Sequence, residues 1–161
     1  MRIGVLSDTH LREGQSLPSF VWDTLAGVDL ILHAGDIVAS QILAELALLA
    51  PVRAVRGNSD GWELANLPSR DLINFAGLRI GIIHGNMGVG RTTPERALRA
   101  FAGDLVDIIV FGHSHQPYLE WWDNVLLFNP GSPTDKRHEK QYSLGIVELL
   151  NGQLKANHHY F

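Results

Sequence analysis

The sequence contains no cysteine. This absence excludes a disulfide framework and thiolate chemistry, and it also excludes a structural zinc site of the cysteine type. Any metal that the chain binds would therefore be held by nitrogen and oxygen ligands.

An excess of basic charge is also missing, since the formal net charge at pH 7 is -4. Stable electrostatic attachment to nucleic acid or to an anionic membrane surface is therefore not expected. A small anionic substrate would need local positive charge, such as a bound metal.

Long hydrophobic runs are absent as well. A membrane-spanning helix needs about 20 apolar residues, but the most apolar internal segment, residues 42–52, is interrupted by Glu45 and Pro51. The N-terminal run, residues 3–6, is too short for the hydrophobic region of a signal peptide. We therefore expect a cytoplasmic protein that does not enter a membrane.

The 161 residues suit one domain, residues 1–161. A domain of this size buries roughly 70% of the surface that its unfolded chain exposes, so it needs no disulfide or structural metal. No internal repeat, low-complexity tract or linker divides the chain.

Strand and helix patterns alternate over the first two thirds of the chain. Apolar, β-branched segments predict strands at residues 2–6, 29–33, 52–55, 71–75, 78–83 and 107–111. Helical patterns lie between them, one with Ser40 as its N-terminal cap and one that begins at Thr93. Residues 118–122, 125–128, 142–149 and 153–160 predict four further strands, with a hairpin turn at Asn151-Gly152. We predict an α/β fold, a two-sheet β-sandwich flanked by helices.

Polar side chains with metal-binding chemistry follow one strand after another. The strand at 107–111 is followed by Gly112 and by His113 and His115. Residues i and i+2 of an extended backbone lie roughly 6 to 7 Å apart, which suits two metals about 3.5 to 4 Å from each other, with one histidine for each. An isolated pair of this kind is also typical of an exposed turn.

The other strand ends repeat this pattern, and functional groups of open α/β sheets lie beyond the carboxyl ends of strands. Single cases have ordinary explanations, such as a helix-capping aspartate or the turn chemistry of residues 58–61. Together they supply seven nitrogen and oxygen donors that suit Mn, Fe, Ni, Co or Zn ions. The seven are Asp8, His10, Asp36, Asn58, His84, His113 and His115.

In this order the motifs resemble those of the calcineurin-like metallophosphoesterases. The matching residues are Asp8-Thr9-His10, Gly35-Asp36, Gly57-Asn58-Ser59-Asp60, His84 and Gly112-His113-Ser114-His115. The short length and the sequence Asn129-Pro130-Gly131-Ser132 look most like the small YfcE-like phosphodiesterases of bacteria and archaea. The family fold, two β-sheets between helices, agrees with the architecture predicted above.

The resemblance implies a dinuclear site with two divalent ions, Mn2+ in the first place, with Ni2+, Co2+, Fe2+ or Zn2+ as alternatives. One ion would be held by four residues: Asp8, His10, Asp36 and His115. Asp36 would bridge to the second ion, completed by Asn58, His84 and His113. A hydroxide shared by the two ions would attack the phosphoester, and the catalytic pair Asn58 and His84 would orient the phosphate, with Asn58 binding it directly.

The predicted function is hydrolysis of a small phosphodiester. A phosphomonoesterase or phosphoprotein phosphatase is one alternative. A non-catalytic scaffold is another, because a subunit of the retromer complex resembles this fold, and Trp121 and Trp122 would then mark an interface.

Many family members have a histidine where this chain has Ser59, and a serine hydroxyl is a poor general acid, which predicts slow turnover of poor leaving groups. The physiological substrate, the native metal and the general acid stay open, as does the oligomeric state, although an edge strand of the β-rich end could form a homo-oligomer.

Overall fold

The computed structural model describes all 161 residues. Ten strands are present: β1 (Arg2–Leu6), β2 (Leu30–His33), β3 (Val52–Ala54), β4 (Arg70–Phe75), β5 (Leu78–Ile83), β6 (Ile108–Val110), β7 (Tyr118–Trp122), β8 (Val125–Asn129), β9 (Ser143–Leu150) and β10 (Gln153–Tyr160). Three α-helices accompany them, α1 (Ser19–Leu25), α2 (Gln41–Leu46) and α3 (Thr93–Ala100), together with a 3-10 turn at Trp62–Leu64.

The strands form two five-stranded sheets. The first has the order β10-β9-β1-β2-β3, and the second has the order β4-β5-β6-β8-β7. Strands β1, β2 and β3 are parallel to one another, and so are β5, β6 and β8. Each sheet therefore presents three carboxyl ends at one edge.

Alternation of side chains builds the layers, because successive residues of a strand point to opposite faces of the sheet. On β2, Leu30 and Leu32 enter the core between the sheets, while Ile31 packs with Val21 and Leu25 on the side of α1 and α2. Ile109 and Leu127 of the second sheet pack in the same way against Ala97 and Phe101, in and just after α3. The two-sheet sandwich flanked by helices is thus confirmed.

The predicted hairpin turn at Asn151-Gly152 is present, and a second hairpin turn at Ala76-Gly77 joins β4 to β5. Asn151-Gly152 and Ala76-Gly77 have positive φ at both positions, as a two-residue turn between strands requires. Ser40 does lie at the N-terminal cap of α2, but its side chain makes no capping hydrogen bond and donates instead to Glu63 Oε2 at 3.1 Å.

No helix in this fold combines the length and the apolar character that crossing a bilayer requires.

Candidate metal centre

The carboxyl ends of five parallel strands carry the seven donor side chains predicted from the sequence. Three ends belong to the first sheet, β1, β2 and β3, and two to the second, β5 and β6. Hydrogen bonds join the two sets across the sandwich, since His84 Nδ1 donates to the carbonyl of Ala34 at 2.8 Å and the main-chain N–H of His113 donates to Asp8 Oδ2 at 3.0 Å. All five strand ends therefore form one site.

The backbone turns sharply at these strand ends. Five of the seven residues adopt a positive φ although none is glycine: Asp8, His10, Asp36, His113 and His115. Such residues cost free energy and persist where the surrounding structure holds them, which is common at functional sites. Glycine neighbours make the approach possible, because a Cβ on Gly57 would collide with the Asp36 carboxylate and one on Gly112 with Ser7.

Asp8, His10 and His115 form the first group of ligand atoms, all within 4.8 Å of one another. Asp8 Oδ1 lies 3.5 Å from His115 Nε2 and 3.9 Å from His10 Nε2. The two Nε2 atoms are themselves 3.3 Å apart. The tight grouping of two imidazole nitrogens and a carboxylate oxygen suits a shared cation.

Asp8, Asp36 and His84 form the second group. Asp36 Oδ2 lies 3.3 Å from His84 Nε2 and 3.4 Å from His10 Nε2, so it contacts one histidine of each group. Asn58 Oδ1 lies 3.2 Å from His84 Nε2. The ring of His113 meets that of His84 edge to face with centroids 5.3 Å apart, and no group of close ligand atoms includes it.

Two histidines are oriented by hydrogen bonds from the nitrogen that faces away from the site. His84 Nδ1 donates to the Ala34 carbonyl, and His115 Nδ1 donates to the Asp135 carbonyl at 2.5 Å. In the neutral rings both bonds leave the lone pair of Nε2 directed into the site. Metal-binding histidines characteristically donate their second N–H in this manner.

Burial raises the pKa of Asp8 to about 7, against the opposing effect of His84. The side chain is fully buried, and Oδ1 has no hydrogen-bond partner. Burying a polar atom without a partner is costly, and burying a charge without one is more so. A divalent cation at Oδ1 would remove that cost, so the residues present fit a bound metal.

Asp36 has the opposite behaviour. Burial favours its protonated form, but hydrogen bonds with His84 and Ser59 hold the pKa of Asp36 well below its usual range. For His84, burial is outweighed by the nearby carboxylates of Asp36 and Asp8, which raise its pKa. Burial lowers the pKa of His115, which favours the neutral imidazole that a metal binds.

Asp60 was not among the predicted site residues, yet it holds the Asp36 loop. Its Oδ1 accepts the main-chain N–H groups of Ile37 at 2.7 Å and Val38 at 2.8 Å, and its Oδ2 accepts those of Gly57 at 2.7 Å and Asp36 at 3.1 Å. One buried carboxylate thus joins the ends of β2 and β3. Its position in the Gly57–Asp60 motif was the available signal.

We expect Asp60→Asn to lower the free energy of unfolding of the metal-free protein by about 2 to 4 kcal/mol, because the amide NH2 cannot accept from main-chain donors. Urea denaturation measures this loss. Asp123→Asn in the exposed β7–β8 turn is the matched control, with an expected change within about 0.5 kcal/mol. Equal midpoints for the two variants would contradict the anchoring role of Asp60.

The segment after β8 also supports the site. Asn129 Nδ2 donates to the carbonyl of Gly112 at 2.9 Å, Ser132 Oγ donates to the carbonyl of Asp8 at 2.7 Å, and Thr134 Oγ1 donates to that of Thr9 at 2.5 Å. The Asn129–Ser132 motif in the sequence drew attention to this segment but did not predict these contacts. They form because β8 pairs in parallel with β6.

Ser59 contacts the site through Asp36. Its N–H donates to Oδ1 at 2.7 Å and its Oγ donates to Oδ2 at 2.9 Å. His33 is fully buried and its Nε2 contacts Thr9 Oγ1 at 3.2 Å, so it packs behind the site as a hydrogen-bonded core residue.

A family model described as the calcineurin-like phosphoesterase superfamily domain matches residues 1–152. The chain belongs to this superfamily. A probable metallophosphoesterase of Methanothermobacter thermautotrophicus is 42% identical over 139 residues, which cover 85% of this chain and 80% of the relative. A phosphodiesterase of Methanocaldococcus jannaschii is 28% identical over 81% of this chain and 83% of its own length.

Solved structures of this phosphoesterase fold are similar over the whole chain. Vps29 of Chaetomium thermophilum has a TM-score of 0.80 at 20% identity and covers 99% of this chain and 96% of its own. A structure described as a novel archaeal phosphodiesterase has a TM-score of 0.77 at 22% identity, covering 99% and 100%. At these identities the likeness shows the fold alone. Family membership supports phosphoesterase activity with divalent metals.

Proposed function

We propose that this phosphoesterase is a metal-dependent phosphodiesterase with two divalent cations. The observation that carries the proposal is the buried Asp8 carboxylate, whose Oδ1 lacks a hydrogen-bond partner and faces the Nε2 atoms of His10 and His115. A second group of ligand atoms, which includes Asp36 and His84, lies beside it and shares Asp8.

In the proposed arrangement Asp8, His10, Asp36 and His115 would hold one cation. The other would be held by Asp36, Asn58, His84 and His113. Asp36 suits the bridging role because Oδ2 approaches both His10 and His84. Two such cations would supply a shared hydroxide near neutral pH and would neutralise the phosphoryl oxygens during in-line attack.

The protein's own side chains position the substrate. Asn58 is exposed and its amide NH2 makes only a long hydrogen bond, 3.4 Å, to Ser59 Oγ, so it is available to a phosphate oxygen. Its Oδ1 stays beside His84, whose ring is held by the Ala34 carbonyl. A phosphate bound by Asn58 would thus lie next to the ligand groups.

Two considerations support a diester as the substrate. A relative in Methanocaldococcus jannaschii is described as a phosphodiesterase. In addition, the hydroxyl of Ser59 is a poor proton donor near neutral pH and is hydrogen-bonded to Asp36, so departure of the leaving group has no general acid at this position. Slow turnover of esters with poor leaving groups stays a prediction.

The test is hydrolysis of bis-p-nitrophenyl phosphate by metal-stripped protein as Mn2+ is added, with Ni2+, Co2+, Fe2+ and Zn2+ in parallel. We expect no activity without metal and saturable activity with at least one of these ions, Mn2+ first. p-Nitrophenyl phosphate measured alongside distinguishes the monoesterase, which would hydrolyse it faster than the diester. Folded protein that hydrolyses neither ester with any ion would overturn the proposal and favour a scaffold.

A further inference from the structure

A cavity of about 620 Å³ opens directly beside the candidate metal centre. Asn58 lines it, as do residues of the segment that follows His84, from Gly85 to Gly88. Its volume lies within the range of small-molecule sites. An organic group attached to a phosphate bound at Asn58 would therefore lie next to this cavity.

Two arginines line the cavity, and they differ in their partners. Arg70 forms an ion pair with Asp104, donates to the carbonyl of Ala100 at 3.0 Å and lies 4.4 Å above the Phe101 ring. Arg56 is exposed and forms no ion pair. The one hydrogen bond of its side chain is a long one, 3.4 Å, from Nη2 to the carbonyl of Asp60. The net positive charge of the cavity is therefore that of Arg56.

The cavity lining also includes main-chain N–H groups that have no acceptor within the protein. The N–H groups of Asn86, Met87 and Gly88 donate no hydrogen bond to any main-chain or side-chain acceptor. Free main-chain N–H groups and an unpaired guanidinium in one cavity are suited to an anion with several oxygens. A guanidinium binds phosphate with two parallel hydrogen bonds.

The remaining wall is apolar, formed by Ile83, Met87 and Ala100. Such a wall suits the uncharged organic part of a ligand. The cavity lining thus combines hydrogen-bond donors and one unpaired positive charge with apolar side chains.

We propose that this cavity binds a second phosphate group of the substrate through Arg56, so that the preferred substrates are phosphodiesters whose organic group carries a further phosphate. This inference rests on the proposed function, because it assumes that the scissile phosphate lies at Asn58. Arg56 is then a specificity-determining residue that contacts the substrate away from the scissile bond.

The experiment compares two substrates that differ by one phosphate, thymidine 5′-(p-nitrophenyl phosphate) and its 3′-phosphorylated counterpart, with Mn2+ present. We expect the wild type to prefer the 3′-phosphorylated substrate by about tenfold or more in kcat/KM, the size of a charge-assisted hydrogen bond. Arg56→Gln removes most of this preference, and Arg56→Lys retains part of it because the charge remains.

The matched control is Arg12→Gln. Arg12 is also exposed and without an ion pair, but it lines a smaller cavity of about 260 Å³ on the Ser59 side. Its replacement is expected to leave the preference within about twofold, because screening by salt limits the reach of an exposed charge. No preference in the wild type, or equal loss in the Arg12 and Arg56 variants, overturns the proposal.

Binding separates this proposal from the proposed function. Calorimetry with thymidine 3′,5′-bisphosphate and thymidine 5′-monophosphate measures ligand binding at the cavity without turnover. If the bisphosphate binds more tightly than the monophosphate and Arg56→Gln removes the difference, the second phosphate site is supported even when no ester is hydrolysed. Absence of hydrolysis would then overturn only the proposed phosphodiesterase activity. If both nucleotides bind equally and bis-p-nitrophenyl phosphate is still hydrolysed, only the proposed second phosphate site is overturned.

Discussion

Asp36→Asn is expected to lower metal-dependent hydrolysis of bis-p-nitrophenyl phosphate by at least about a thousandfold, equivalent to about 4 kcal/mol of transition-state stabilisation. The physical reason is the position of Oδ2, 3.3 Å from His84 Nε2 and 3.4 Å from His10 Nε2. An amide in its place carries no negative charge, and its NH2 group would point protons at those two histidine nitrogens. Initial rates under saturating Mn2+ measure the loss.

The control for this variant is Asp23→Asn, the same chemical change on the exposed face of α1. Its rate is expected to match the wild type within about twofold. Metal analysis of the same samples adds a second readout, because loss of a bridging ligand should leave Asp36→Asn with less bound Mn2+ than the control. A loss of activity below about tenfold would contradict the bridging role proposed for Asp36.

The second large effect concerns stability of the metal-free protein and its dependence on pH. Burial raises the pKa of Asp8 to about 7 from 3.8. Between these two pH values the folded protein holds a proton that the unfolded chain has lost, so stability falls as pH rises through this window and stays low above it. One pKa unit corresponds to about 1.4 kcal/mol, which puts the full penalty on the order of 4 kcal/mol.

Asp8→Asn removes this titration. The metal-free variant is therefore expected to be about 2 to 4 kcal/mol more stable than the metal-free wild type at about pH 8, and close to it at about pH 4. Urea denaturation at a series of pH values measures the difference, with Asp23→Asn as the control that keeps the wild-type pH dependence. Parallel curves for Asp8→Asn and wild type would show that burial does not raise the pKa of Asp8.

The Asp8 prediction reflects an exchange of stability for metal binding, whereas Ser59 already hydrogen-bonds the Asp36 carboxylate in the metal-free protein. A buried carboxylate without a hydrogen-bond partner at Oδ1 destabilises the metal-free fold, but it offers a cation an anionic ligand that water does not screen. Addition of Mn2+ is accordingly expected to stabilise the wild type and to do so less in Asp8→Asn.

The residue types of the site were predictable from the sequence because each follows an apolar segment with a clear strand pattern. Residues 2–6 and 107–111 show this best, since each is followed by donors at alternate positions, Asp8 and His10 or His113 and His115. Their convergence followed from parallel strands having adjacent carboxyl ends. The β-sandwich with outer helices was likewise predictable from the change of pattern along the chain.

Other features depend on distant segments and could not be read in this way. β8 lies parallel to β6 although the antiparallel neighbour β7 precedes it in the chain, and β9 reaches back to pair with β1. No local pattern specifies such pairings. The cytoplasmic location, the homo-oligomer and the division of ligands between two ions stay predictions.

By itself the sequence determined which side chains were available to this site, since residue type and strand periodicity are local properties of the chain. Only the tertiary structure decided how they are held: the four main-chain donors on Asp60, the carbonyls that orient His84 and His115, and the unpaired oxygen of Asp8. These features depend on the directions of main-chain N–H and C=O groups from separate strands, and those directions are defined only when the two sheets pack together.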